Sequence, residues 1–138
     1  MNIDRLFKAM TVSATGMRAE RFRMGIIASN IAHARDTNIG DGTPYRRKDA
    51  VFATILDGEM AGGVEILDTV TDRDTPLNKI YMKGHPQADE NGMVSFPNVN
   101  PHNEMVDLII SSRSYEANLE VGKIAVEMAR QALELGRG

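Results

Sequence analysis

Three histidines, nineteen carboxylates and no cysteine are what this chain offers to catalysis or metal binding. His33, His85 and His102 stand far apart in sequence, without the H-E-x-x-H spacing that places two imidazoles on one helical face. Glu104 and Asp107 lie three residues apart, a spacing that could pose an acid and a base on one turn of helix. They also follow Asn100-Pro101, so N-terminal capping and dipole complement explain them with less chemistry. Asp89-Glu90-Asn91-Gly92 begins like a calcium loop but lacks the remaining ligand spacing, and reads as a hairpin turn. Without cysteine there is neither a disulfide nor a thiolate metal site. There is no phosphate-cradling glycine motif and no basic-aromatic stacking surface. The expectation is a chain with no active site, no cofactor and no metal.

The elements that hold these residues say more. At 138 residues the chain suits a single domain with an ordinary core. The net charge of −3 divides as +4 over residues 1–35, −5 over 36–100 and −2 over 101–138. The two end segments are of opposite sign and can attract one another, but neither is large enough for a nucleic-acid footprint. The N-terminus begins an amphipathic helix rather than the continuous apolar run of a secretory signal. No stretch approaches the ~20 apolar residues that span a bilayer. By ordinary routes such a chain is expected to stay in the cytoplasm, without membrane insertion.

Both ends carry seven-residue apolar series. Ile3, Met10, Met17, Met24 and Ile31 keep strict heptad spacing from the N-terminus, joined by a companion series of Leu6, Ile27 and Ala34. Ser13 and Glu20 interrupt the companion, and Gly16 and Gly25 each weaken the helix by about 1 kcal/mol relative to Ala. This first helix is expected from about Ile3 to Ala34, spanning roughly 48 Å. The second opens at Pro101, with Asn100 as its N-cap. Its seam runs Met105, Ser112, Leu119, Val126, Leu133, with Leu108, Tyr115, Gly122 and Ala129 interleaved. A further apolar set, Ile109, Ile124, Met128 and Leu135, lies beside that seam, so one partner helix cannot bury everything. Glycines, polar breaks and methionine-rich seams predict end segments that are largely disordered alone and order when neighbours arrive.

Between the helices the period changes from seven to two. Residues 37–44 form a loop, and strands are expected near 51–56, 64–68, 78–82 and 93–96. The fold class is therefore α+β. Two long terminal helices, 1–35 and 101–138, pack as a coiled-coil-like pair, with a small antiparallel β-rich domain inserted over 36–100. The residues nominated to form subunit interfaces are Met10, Met17, Met24, Ile27, Ile31, Met105, Leu108, Tyr115, Leu119, Gly122, Val126 and Leu133.

Several segments, in order, resemble the bacterial flagellar axial proteins, and among them the proximal-rod proteins of the basal body. Residues 13–20 (SATGMRAE) and 28–32 (ASNIA) resemble the S-G-x-x-A-Q and A-S-N-I-A-N-A-x-T segments of that family. Residues 42–48 (GTPYRRK), 84–89 (GHPQAD), 92–100 (GMVSFPNVN), 104–109 (EMVDLI) and 113–118 (RSYEAN) add to it. Ala14, Glu20 and His33 depart from the common pattern. The resemblance implies export through the flagellar type III apparatus without a cleaved signal. It implies a non-enzymatic subunit of a tubular rod that crosses the periplasm as a drive shaft and transmits torque. Its partners would be copies of itself, other proximal and distal rod proteins and a basal-body adaptor protein, with no nucleic acid and no small-molecule substrate. Two other classes remain at this point. A helical adaptor or export chaperone would form a stable soluble dimer. A secreted hydrolase would require carboxylates converging in a cleft.

Overall fold

The computed structural model describes residues 2–138. Helix α1 spans Ile3–Ala32 and helix α2 spans Pro101–Arg137. The Asn2 side chain accepts from the Asp4 N–H at 3.1 Å to cap α1. The helix stops at Ala32, two residues short of the expected end, where the His33 N–H closes onto the Ser29 carbonyl at 3.0 Å. Helix α2 begins as its sequence dictates. Asn100 accepts from the N–H groups of His102 and Asn103, and Pro101 occupies the first turn, where no donor is needed.

Four strands lie between the helices: β1 (Lys48–Thr54), β2 (Val64–Thr71), β3 (Asn78–Tyr81) and β4 (Met93–Phe96). They form two separate antiparallel ribbons, β1 with β2 and β3 with β4. In the first, Lys48 faces Thr71 and Thr54 faces Val64, with a register shift between Val51 and Phe52 that marks a β-bulge. The second pairs Asn78 with Phe96 and Tyr81 with Met93. Asn91-Gly92 closes the β3–β4 connection beside β4. The Asp89 side chain accepts from the N–H groups of Asn91 and Met93, and Gly92 takes φ +77° with the Tyr81 ring against it. A two-stranded ribbon is marginal alone, so each needs the helices or the connecting loops for support.

The helices pack antiparallel. Ser13 lies beside Asn118, Glu20 beside Ser111 and Asn30 beside Glu104, so the sequence runs in opposite directions along the contact. The buried α1 positions facing α2 are Leu6, Ser13, Ile27 and Asn30, and the buried α2 positions are Glu104, Ser111, Ala125 and Ala129. Small and polar side chains thus bring the two backbones close. The β1–β2 ribbon packs against α1, where the Thr15 hydroxyl accepts from the Val64 N–H at 3.0 Å.

Candidate functional site

The heptad series Met105, Leu119, Val126 and Leu133, nominated for subunit interfaces, faces outward in the single chain. In the folded chain the intramolecular seam instead follows Glu104, Ser111, Asn118 and Ala125, one residue earlier. On α1 it is the interrupted companion series, Leu6, Ser13, Glu20 and Ile27, that faces α2. The interrupting residues are the contacts. The Ser13 hydroxyl donates to the Asn118 carbonyl, and the Ser111 hydroxyl donates to the Glu20 carboxylate at 2.5 Å. Hydrogen bonds across a close approach replace apolar knobs, and apolar periodicity is blind to them.

The nominated seam residues consequently fall into three groups. Ile27 alone is buried, 3% exposed, in the helix pair. Met10, Met17, Met24, Ile31, Leu108, Tyr115 and Gly122 are half-buried at its margin. Met105, Leu119, Val126 and Leu133 face outward, between 36% and 61% exposed. Five of the twelve come together: Met10 and Met17 of α1 with Leu119, Gly122 and Val126 of α2 line an apolar groove of 400 Å³, rimmed by Lys123 and Glu127. Gly122 looks toward Ser13 of its own chain, with room for a methyl group at 3.7 Å.

At the other end of the helix pair, a polar cluster ties both helices to the insert. The Asn30 side chain is fully buried and makes four hydrogen bonds. Its amide donates to the Lys48 carbonyl at 2.8 Å and to Glu104 at 3.1 Å, and its oxygen accepts from the Tyr45 hydroxyl and the Lys48 N–H. Glu104, only 1% exposed, accepts from Arg47 Nε at 2.5 Å. Arg47 also reaches Asp49 at 3.1 Å and Asp107 at 3.9 Å. Burial disfavours the Arg47 charge, but the hydrogen bonds it donates to Glu104 and Asp49 outweigh that and hold the guanidinium above its ordinary pKa. Asn98 extends the network, accepting from the Arg47 N–H at 2.8 Å and donating to the carbonyls of Asp72 and Thr75. The Thr75 hydroxyl and N–H bonded to Asp72 hold that carboxyl below the usual range.

Glu104 and Asp107, the carboxylate pair considered for acid–base chemistry, are therefore both turned to Arg47. Glu104 does more than the dipole role its position suggests, because it is the buried anion of an ion pair. Among the histidines, His33 stacks on Tyr45 with centroids 4.8 Å apart, and His85 Nδ1 accepts from the Gln87 N–H. Among the described residues no group of three or more His, Asp or Glu side chains is placed to hold a metal ion. Asn30, Tyr45, Arg47 and Asn98 carry no local signature of a site, although all lie within the segments that carry the family resemblance. Apart from Asp49, two residues from Arg47, the hydrogen-bond partners of their side chains are 15 to 74 residues away, beyond the reach of any local pattern.

Comparison with known proteins bears on the same surfaces. Residues 90–135, which hold β4 and nearly all of α2, match the family described as flagellar basal body rod FlgEFG protein C-terminal. The chain is 36% identical over 148 residues to the flagellar basal-body rod protein FlgC of Bacillus subtilis (strain 168), covering 95% of this chain and 98% of that protein. This chain belongs to the FlgC family of flagellar basal-body rod proteins. The FlgC of Salmonella typhimurium (strain LT2) is 36% identical, covering 96% of this chain and 98% of its own length. The FlgC of Aquifex aeolicus (strain VF5) is 39% identical, covering 94% and 96%. FlgC membership makes this chain a structural protein of the basal-body rod. That gives a physical reason for so much apolar helix surface at the margin of an isolated subunit.

Proposed function

We propose that the chain is a subunit of the proximal part of the rod and polymerises through the outer faces of α1 and α2 as part of the torque-transmitting shaft. The observation that carries this reading is the groove of Met10, Met17, Leu119, Gly122 and Val126, left open beside a helix pair already joined by other residues. Burying such a face against neighbouring subunits at ~25 cal/mol per Å² would hold a polymer together. The interface set is the one nominated above, with Ile27 acting from within the helix pair. Copies of the chain, other rod proteins and a basal-body adaptor protein are the partners of this surface, reached after export by the flagellar type III apparatus. The subunit acts as structure rather than as an enzyme.

Val126→Lys tests it. Val126 is 49% exposed in the subunit, so the lysine stays solvated in the monomer and costs little there. At a packed interface the same ammonium would be desolvated at several kcal/mol. The variant should fold and melt like the parent, yet be absent from isolated basal bodies, and its cells should not swim. Normal rods built from Val126→Lys would refute the seam. Glu134→Ala, on the outer charged face, should assemble.

A further inference from the structure

The N-terminal helix carries five cations, Arg5, Lys8, Arg18, Arg21 and Arg23, and among the described residues none has a carboxylate within 4.0 Å. The opposite charges of the two end segments are thus not spent on holding α1 to α2. Arg18 and Arg21 instead stand with Lys48 of β1 around a second groove, 610 Å³ in volume, between α1 and the β1–β2 ribbon. Its floor is apolar, made by Phe22, Ile26 and Ile66. Gly25 opens it, since a side chain there would meet no atom within 4 Å. The groove lies apart from the Met10–Val126 groove and shares no residue with it.

The same chain presents a surface of complementary character. From residue 114 to 129, α2 has three glutamates and one lysine. Glu116, Glu120 and Glu127 recur at four- and seven-residue steps, which places them on one face, and Ile124 adjoins them with half its surface exposed. Among the described residues Glu116 and Glu127 have no cation within 4.0 Å, and Glu120 meets only Lys123 of its own helix at 3.9 Å. We propose that the basic groove beside Gly25 receives the Glu116–Glu127 stretch of α2 from a second copy. Ile124 enters between Phe22 and Ile66, and Glu120 and Glu127 meet Arg18 and Arg21. Groove and stretch are different surfaces, so each copy offers one of each and the contact can propagate head-to-tail along a polymer. The proposal rests on the rod reading above and names one neighbour within it.

Because the chain has no cysteine, single introduced thiols can report the contact. Cells making a Gly25→Cys copy and an Ile124→Cys copy together should yield a disulfide-linked dimer in isolated, oxidised basal bodies, and neither copy alone should. Adding Arg18→Glu and Arg21→Glu to the Gly25→Cys copy should cut the yield by about tenfold, and Glu120→Arg with Glu127→Arg on the other copy should restore it. Gly25→Leu, which favours the helix but fills the groove, should exclude the chain from rods without lowering its melting temperature. Rods that contain both cysteine copies but no crosslink would overturn the pairing and leave the rod reading intact, as would a yield indifferent to charge reversal. A Gly25→Cys copy linked instead to a cysteine of another rod protein would overturn the second copy as occupant. If the parent chain is absent from basal bodies altogether, the rod reading fails first.

Discussion

Glu104 shows how much a single residue's role depends on what folds against it. In the first turn of a helix, an exposed glutamate contributes only ~0.3–1 kcal/mol through the dipole. Here its carboxylate is buried, bonded to Arg47 and to the amide of Asn30. Replacing it by glutamine removes a charge-assisted bond and leaves the guanidinium short of its anion, a loss of about 1.5–3 kcal/mol. Glu104→Gln should therefore lower the melting temperature measurably, and the loss should shrink when Arg47 is replaced by Met in the same chain. Purified protein should show no peptidoglycan cleavage that disappears with the substitution. Cleavage lost specifically in Glu104→Gln would revive the hydrolase reading.

At the scale of elements, the junction between α1 and the first ribbon depends on a missing side chain. A Cβ on Gly63 would lie 2.7 Å from the Thr15 hydroxyl and 2.9 Å from the Met60 carbonyl. The hydroxyl is itself engaged, accepting from the Val64 N–H and donating to the Val12 carbonyl, and the carbonyl is backbone, so neither yields cheaply. Gly63→Ala should separate the ribbon from the helix at a cost of about 1–3 kcal/mol. Amide exchange should report it, with faster exchange confined to β1 and β2 while β3 and β4 keep theirs. Uniform protection across all four strands would show that the contact does not hold the ribbon. The helix pair has a comparable close approach at Gly16, whose Cβ would meet the Asn118 side chain at 2.8 Å. Those two glycines register as helix weakness or turn in a linear reading, yet each marks a place where two elements touch.

For the whole molecule, the decisive quantity is how little apolar surface the single chain buries. Among the described residues its buried hydrophobic side chains are Leu6, Ala19, Ile27, Tyr45, Val94, Val99, Ala125 and Ala129, and only two of these are large aliphatics on a helix. Ordering roughly 65 helical residues costs ~1–2 kcal/mol each in backbone entropy, and a seam of serine and alanine offsets little of it. The isolated subunit should accordingly hold its helix pair only marginally, so that both helices open readily while the pair still melts as a unit. Limited proteolysis of dilute monomer should leave a fragment near residues 36–100, and assembled rods should resist throughout. Terminal helices that resist protease and exchange slowly in the monomer would instead favour the stable adaptor.

What the sequence by itself determined is the set of features that depend on neighbours a few residues apart. The Asn100-Pro101 start of α2, the switch of period from seven to two and back, and the places of four strands all follow from capping, backbone restriction and side-chain alternation. The α+β layout and the family resemblance rest on the same local segments. Tertiary structure alone decided which stripe of each helix faces its mate. Apolar heptads mark Met105, Leu119 and Val126, which face outward in the single chain, while the helix pair itself is built on Ser111, Asn118 and Ala125. A heptad repeat records that a face will be buried, but not against what. Small polar residues permit close backbone approach and satisfy each other within the chain, which leaves the larger apolar side chains free for neighbours. Asn30 reaching Glu104 across 74 residues belongs to the same class, since such partners become visible only when the chain has closed on itself.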